Sequence, residues 1–406
     1  MSKSNLAASE AARKLLDALK PSAAALPESG IVQVFNHGRT KPGLIPLWAG
    51  EGDLPTPPFI AEAASKALLG GETFYTYQRG LPPLREAIAA YHARNYGRPF
   101  SPENFFVTGG GMQAIQLAFQ MTVGVSDEVL VPTPSWPNFR GAIETTGARA
   151  KSVPMTLGRD GWRLDLDQLF AAATPRTRAI VINSPANPSG WTASQDDLAT
   201  ILQFTRRRGL WIIADEIYGR FYFPGGMAPS LQHLIEPDDR VLFGQTFSKN
   251  WAMTGWRIGW LQAPEALGQV IENSIQYNSS GVAPFMQRGA IAALVDGDNF
   301  VDDQVARARE GLEIVAKALQ PLNSVRFVAP AGAFYAFFGI DGVTNSLNAA
   351  LRIVDEANVG LAPGTAFGDG AEPYFRVCFL RTPAQLQEAM QRLVEWISRQ
   401  DHLSRN

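Results

Sequence analysis

The sequence predicts an α/β protein: a large unit with a mostly parallel sheet flanked by helices, and a smaller α+β unit built from both chain termini. Three observations carry this reading. Five short runs between residues 105 and 244 are almost wholly apolar, as strands are when helices cover both faces of their sheet. A helical or mixed segment separates each run from the next, the alternation expected of parallel pairing. With 46% hydrophobic and 18% charged residues in a 406-residue chain, there is enough apolar mass for a large core and too little charge for a disordered chain.

In order along the chain, residues 5–19 read as a short amphipathic helix. Residues 59–69 and 82–95 read as helices with Pro near their starts, where the missing N–H costs nothing. The apolar β runs are 105–108, 128–131, 179–183, 210–214 and 241–244. Residues 300–319 form the longest helical pattern. Beyond it lie strand-like 325–328 and 333–338, a helix at 345–357, a strand around Arg376 and a helix at 383–399. The large unit is assigned to residues 51–299, and the small one to 1–50 together with 300–406.

Charge is nearly balanced, 36 Lys+Arg against 38 Asp+Glu, so nothing electrostatic points to nucleic acid or an anionic membrane as partner. The residues ahead of 51 show neither a basic stretch nor a helix-turn-helix pattern, which argues against a DNA-reading regulator. One cysteine, Cys378, excludes an internal disulfide framework and a multi-Cys zinc site. Its apolar surroundings suit a buried structural thiol. His37, His92, His233 and His402 lack metal-ligand spacing, and no metal is expected. Arg206, Arg207 and Arg208 read as a solvated helix end. No stretch of about 18 apolar residues occurs, and acidic Glu10, Asp17 and Glu28 interrupt the first 30 residues. The expected compartment is therefore the cytoplasm.

In open parallel sheets the ligand lies beyond the carboxyl ends of the strands, so the chemistry is sought just after each β run. Lys249 follows the last run between Phe247 and Trp251, where desolvation favours a neutral, nucleophilic amine. Arg257, in the Gly/Trp-rich turn 253–260, can hold a phosphate together with Ser248. Asp215 ends an apolar run and must be paired or become protonated. With a cationic heterocycle at roughly 4 Å and an effective dielectric near 20, that pairing is worth about 4 kcal/mol before desolvation. Tyr218, three residues on, can offer a hydroxyl to the same ligand. Asn187 sits in a loop stiffened by Pro185 and Pro188, with an amide for an anionic oxygen. Gly110 and Gly111, leading into Met112, form a strand-to-helix turn whose N–H groups face an anion. Trp136 can stack on a flat ring. Taken singly these are ordinary: Asp215 could be a helix cap, Asn187 a turn residue and Trp136 core packing. Together they supply a ring-oxygen donor, a ring-nitrogen carboxylate, an amine for an aldehyde and a phosphate clamp, a complete pyridoxal phosphate pocket.

The same residues, from the Leu47–Asp53 stretch to the Arg376 strand, resemble the class I/II aminotransferases, which are fold-type I pyridoxal 5'-phosphate enzymes. The resemblance implies that Lys249 forms the internal Schiff base, Asp215 pairs with the pyridinium nitrogen, and Asn187 and Tyr218 bind the ring's phenolic oxygen. It makes Trp136 the stacking ring. Ser248, Arg257 and the Gly110-Gly111-Met112 turn become the phosphate cup. Tyr75 matches a tyrosine that reaches the phosphate of the neighbouring subunit, so a homodimer with shared sites is implied. Arg376 and Gly50 match the residues that hold the substrate α-carboxylate, beside Asn187 and Trp136. One departure is Thr246, where serine or glycine is usual. The implied reaction moves an amino group from an α-amino acid to a 2-oxo acid by a ping-pong route. A carbon–sulfur lyase or cyclising enzyme of the same fold is the alternative. In bacterial aspartate-type members the position of Met112 resembles a lysine that helps hold a distal carboxylate. Methionine favours neutral or aromatic substrates instead, with Phe35, Tyr77 and Tyr222 as possible pocket walls and Arg39 or Arg79 as possible distal cations.

Overall fold

The computed structural model describes residues 10–403. The first helix there is Glu10–Asp17; the part of the expected helix at 5–9 lies outside the described residues, as does the side chain of His402.

The large sheet has seven strands: β1 (Phe105–Thr108), β2 (Glu128–Thr133), β3 (Arg149–Pro154), β4 (Thr177–Asn183), β5 (Trp211–Asp215), β6 (Val241–Thr246) and β7 (Gly259–Gln262). Their spatial order is β1-β7-β6-β5-β4-β2-β3. Neighbours from β3 through β6 pair in parallel. β7 alone runs antiparallel, against both β1 and β6. The expected apolar runs are all strands, and two strands were not anticipated. β3 is an edge strand, polar and half-exposed, so it lacks the apolar run of a covered strand. β7 is short and lies inside the segment whose glycines and arginine drew the eye to a turn.

Side-chain alternation explains why the runs are apolar on both faces. Val129, Val131, Val181, Ile213 and Leu242 enter one buried cluster. Their neighbours Leu130, Ile180, Ile182, Ile212 and Phe243 enter another on the opposite face. Helices Gly111–Thr122 and Gly268–Asn278 cover the first cluster, and Gln195–Arg208 covers the second. Each fully buried aliphatic side chain of this kind contributes roughly 1.5–3 kcal/mol.

A second, antiparallel sheet contains β8 (Val325–Arg326), β9 (Tyr335–Ile340), β10 (Ala362–Pro363) and β11 (Tyr374–Cys378), in the order β8-β9-β11-β10. The N-terminal segment joins this part of the molecule through parallel pairing of Ile45–Pro46 with Val359–Gly360. Helix Asp298–Leu319 spans two cores. Val301 packs among Trp251 and Met253, while Ala308, Leu312, Val315 and Leu319 pack with the aromatic residues of β9 and β11. Cys378 is buried. Among the described residues no helix is long and apolar enough to cross a membrane.

Candidate active site

The ends of β1, β2, β4, β5 and β6 open into one cavity of about 510 Å³, closed on its other side by residues 48–51 and by β9 and β11. At its floor, Lys249 Nζ donates to the Gly50 carbonyl at 2.7 Å. Burial, aided by the positive charge of Arg376, pushes this amine down to about 8. Asp215 is buried at the end of β5, and burial raises its carboxyl to about 7, against the opposing charge of Lys249 and a hydrogen bond from Ile217 N. No helix begins at Asp215, so its side chain is not spent on a cap. Glu216, next in sequence, turns away and accepts from Ser230 Oγ at 2.5 Å and Leu231 N at 3.1 Å.

Gly111, Ser248 and Arg257 form another part of the lining. Gly110 sits at φ +88°, and a Cβ there would come within 2.7 Å of Arg257 Nη2. Only glycine lets that guanidinium close over the turn where helix Gly111–Thr122 begins. Arg257 itself adopts φ +51°, a strained left-handed conformation costing about 1 kcal/mol. It is anchored by Nη1 donating to the Thr254 carbonyl at 2.6 Å. Ser248 is held by Thr246, whose hydroxyl lies 2.8 Å from Ser248 Oγ and accepts from Ser248 N. The threonine noted as a departure therefore keeps the hydrogen bonding of a serine.

On the third side, Arg376 is buried in β11. Nη1 donates to Asn187 Oδ1 at 2.8 Å and Nη2 to the Trp48 carbonyl at 2.5 Å. Its Nε is buried without a partner, although a buried charged donor normally has one. With Asn187 Oδ1 already accepting from Arg376, the Asn187 NH₂ is the group of that amide left to donate to a ligand. Tyr218 OH lies 2.8 Å from Tyr335 OH. Trp136 lines the cavity and packs edge-on against Phe139. Met112 Sδ accepts from Asn138 Nδ2 at 3.6 Å.

The structure thus gathers Gly50, Gly111, Met112, Trp136, Asn187, Asp215, Tyr218, Ser248, Lys249, Arg257 and Arg376 around one cavity, with Gly110 beneath Arg257. Tyr75 is not among them: it is 94% exposed. Phe35, Tyr77 and Tyr222 lie outside the lining as well. Arg79 is occupied by Glu103 and Glu272 at 2.8 and 2.9 Å. Lining residues missed from sequence include Ile31, Trp48, Glu51, Asn138, Thr254 and Tyr335. Of these, only Trp48 and Glu51 carried a signal, as neighbours of Gly50.

An orphaned guanidinium Nε, a glycine cradle under an arginine, and a buried carboxyl facing an amine suit a planar, anionic, aldehyde-bearing ring such as pyridoxal phosphate. The raised carboxyl gives a test in the cofactor-free protein. A folded-state value near 7 against an ordinary 3.8 means the fold binds that proton more tightly, so stability falls as pH rises through this window. Asp215→Asn, which does not titrate, should raise Tm by an amount that grows between pH 4 and 7 and levels off above. Thermal unfolding across that range checks it, and a Tm difference independent of pH contradicts it.

The sequence profile of the class I and II aminotransferases matches residues 42–393. An aspartate aminotransferase of Pyrococcus horikoshii is 33% identical over 370 residues, covering 90% of this chain and 93% of that one. Aromatic-amino-acid aminotransferase 2 of Thermococcus litoralis is 33% identical over 369 residues, covering 90% and 94%. Among solved structures, the aromatic aminotransferase of Pyrococcus horikoshii superposes with a TM-score of 0.84 at 31% identity, covering 91% of this chain and 99% of that one. The aspartate aminotransferase of Rhizobium meliloti gives 0.86 at 28%, covering 94% and 99%. Shared length, shared fold and a site suited to the cofactor agree, and the chain belongs to the class I and II aminotransferases, as a pyridoxal phosphate-dependent enzyme acting on amino acids and 2-oxo acids.

Proposed function

We propose that this transaminase works with Lys249, Asp215 and Arg376 as its central groups and prefers amino acids with neutral or aromatic side chains. The observation that carries the reading is the convergence of Lys249 Nζ, the Asp215 carboxyl and the unpartnered Arg376 Nε on one cavity. When bound, the cofactor supplies an aldehyde that exchanges for the substrate amine and a ring that accepts electrons from the α-carbon. Ser248, Arg257 and the amides of the Gly110-Gly111-Met112 turn would hold its phosphate. Trp136 would cover its ring, and Asn187 and Tyr218 would donate to its phenolic oxygen.

Arg376 receives the substrate carboxylate through its remaining N–H groups, a charge-assisted contact, and so fixes which bond at the α-carbon faces Lys249. The Gly50 backbone borders the same place. Lys249, with an amine lowered to about 8, is partly neutral near physiological pH and would take the α-proton at Nζ and hand it on to the former aldehyde carbon of the cofactor. Asp215, ionised once a cation faces it, keeps a proton on the ring nitrogen. All relatives named above are aminotransferases, and the elimination reading is not favoured.

The substrate preference is supported by the far wall. Ile31, Trp48, Met112 and Asn138 line it, and among the described residues the cations lining the cavity are Lys249, Arg257 and Arg376. Arg79 is held elsewhere in ion pairs. Among the described lining residues a distal carboxylate finds no cation beyond these three. Cofactor-loaded protein should therefore lose its visible absorbance faster with phenylalanine, tyrosine or leucine than with aspartate. A response to aspartate or glutamate alone overturns the preference.

The proposal includes a homodimer with shared sites. Leu69, Phe74, Tyr75 and Tyr277 are all exposed, and the segment after Tyr75 is tied to helix Gly268–Asn278, which carries Tyr277, by Gln78 Nε2 donating to Gln276 Oε1. An apolar patch of this kind is usually covered by another chain. A second copy would bury it and bring Tyr75 to the neighbouring phosphate cradle. The division into residues 51–299 and 1–50 with 300–406 belongs to the same proposal, supported by the two separate sheets. Mixing Tyr75→Ala chains with Lys249→Ala chains at limiting cofactor should restore about a quarter of wild-type activity, since each mixed two-fold dimer keeps one intact site. No recovery on mixing contradicts shared sites.

A further inference from the structure

Tyr335 has no place in the assignments above, yet it meets Tyr218, Arg376 and Gly50, which do. It opens β9, opposite Cys378 in the antiparallel pairing with β11. Residues that alternate along paired strands share a face, so Tyr335 and Phe337 stand beside Arg376 and Cys378. The Arg376 guanidinium lies over the Tyr335 ring, 4.5 Å from its centroid. The Tyr335 hydroxyl is 2.8 Å from that of Tyr218, with the two rings nearly perpendicular. A Cβ at position 50 would fall 2.7 Å from the same hydroxyl, so Gly50 is a glycine because Tyr335 fills the space a side chain would need. The residue is fully buried and lines the cavity.

Burial pushes both phenols up, so both keep their protons at working pH. Two hydroxyls in contact share one hydrogen bond, and the direction of that bond decides what the outer one can do. If Tyr218 donates inward, it can only accept from a ligand. If Tyr335 donates to Tyr218, the Tyr218 proton is free for an acceptor in the cavity. A phenolic oxygen beside the cofactor aldehyde is such an acceptor, so the second arrangement fits. Successive donors also polarise one another.

We propose that Tyr335 is a positioning residue for both halves of the site. Its hydroxyl donates to Tyr218 and turns the Tyr218 proton toward the cofactor's ring oxygen, while its ring supports the Arg376 guanidinium that takes the substrate carboxylate. The inference rests on the roles proposed for Tyr218 and Arg376. It adds that one side chain couples them.

The test uses holoenzyme carrying Tyr335→Phe, Tyr335→Leu or Tyr218→Phe, with two readouts that need no turnover. One is the pH at which the bound cofactor's visible absorbance changes. The other is the dissociation constant of 3-phenylpropionate, an acid that cannot react. A donor at the ring oxygen stabilises the deprotonated cofactor, so weakening it raises the titration midpoint. Tyr335→Phe should move the midpoint up by roughly half a unit, in the same direction as Tyr218→Phe and by less. It keeps the ring under Arg376 and should leave the acid's affinity within about twofold. Tyr335→Leu should also weaken the acid about tenfold, as expected when a buried cation loses an aromatic face. If Tyr218→Phe shifts the midpoint and Tyr335→Phe does not, the inference fails while the role of Tyr218 stands. Equal acid affinity in the Leu and Phe variants overturns the support of Arg376. If Tyr218→Phe titrates as wild type, the assignment of Tyr218 falls, and this inference with it. The Phe variant differs by one oxygen, so its titration decides the hydroxyl's role even if the Leu variant does not fold.

Discussion

A carboxyl group buried at the end of a covered parallel strand is the constraint on which the site depends. Asp215 lies 3% exposed where water cannot stabilise its charge, and its raised value is the physical signature of that cost. The opposing group, Lys249, is enclosed in the same cavity and lowered for the same reason. Two groups driven toward neutrality across a cavity form a poor salt bridge and a good binding site. A ring bearing a basic nitrogen at one edge and an aldehyde at the other satisfies both. The sheet supplies the geometry: β5 and β6 are neighbours in parallel, so the residues that follow them emerge on the same side.

Around that axis the remaining groups are held by backbone more than by one another. Gly50 O receives the lysine, Trp48 O receives Arg376, and Thr254 O anchors Arg257. Rigid acceptors of this kind fix charged side chains without neutralising them, leaving their other donors for ligands. The link from Arg376 to Asn187 joins the second sheet to the loop after β4. Through it, the group that would hold substrate orients the amide that would hold cofactor.

Much of this was legible in the sequence because covered strands are written as apolar runs and end abruptly in polar residues. Asp215, Asn187 and Lys249 stand out for that reason. β3 and β7 were not legible: an edge strand keeps polar residues, and a short reversed strand hides in a glycine-rich segment. Tyr335 was hidden differently. In the run Ala333-Phe334-Tyr335-Ala336-Phe337 it looks like one more core aromatic, and only the register with β11 shows that it faces Arg376. Tyr75 is exposed in the single chain, and its role rests on the second copy proposed above. Arg39 and Arg79 were plausible distal cations by type alone, and the ion pairs of Arg79 with Glu103 and Glu272 take it out of consideration.

The central claim is that the cofactor lies between Lys249 and Asp215, joined to the lysine. Borohydride reduction of the cofactor-loaded protein, followed by peptide mapping, addresses it directly. The account predicts a single pyridoxyl-modified peptide with the label on Lys249. A label on any other lysine, or none in protein that has taken up the cofactor, would contradict it.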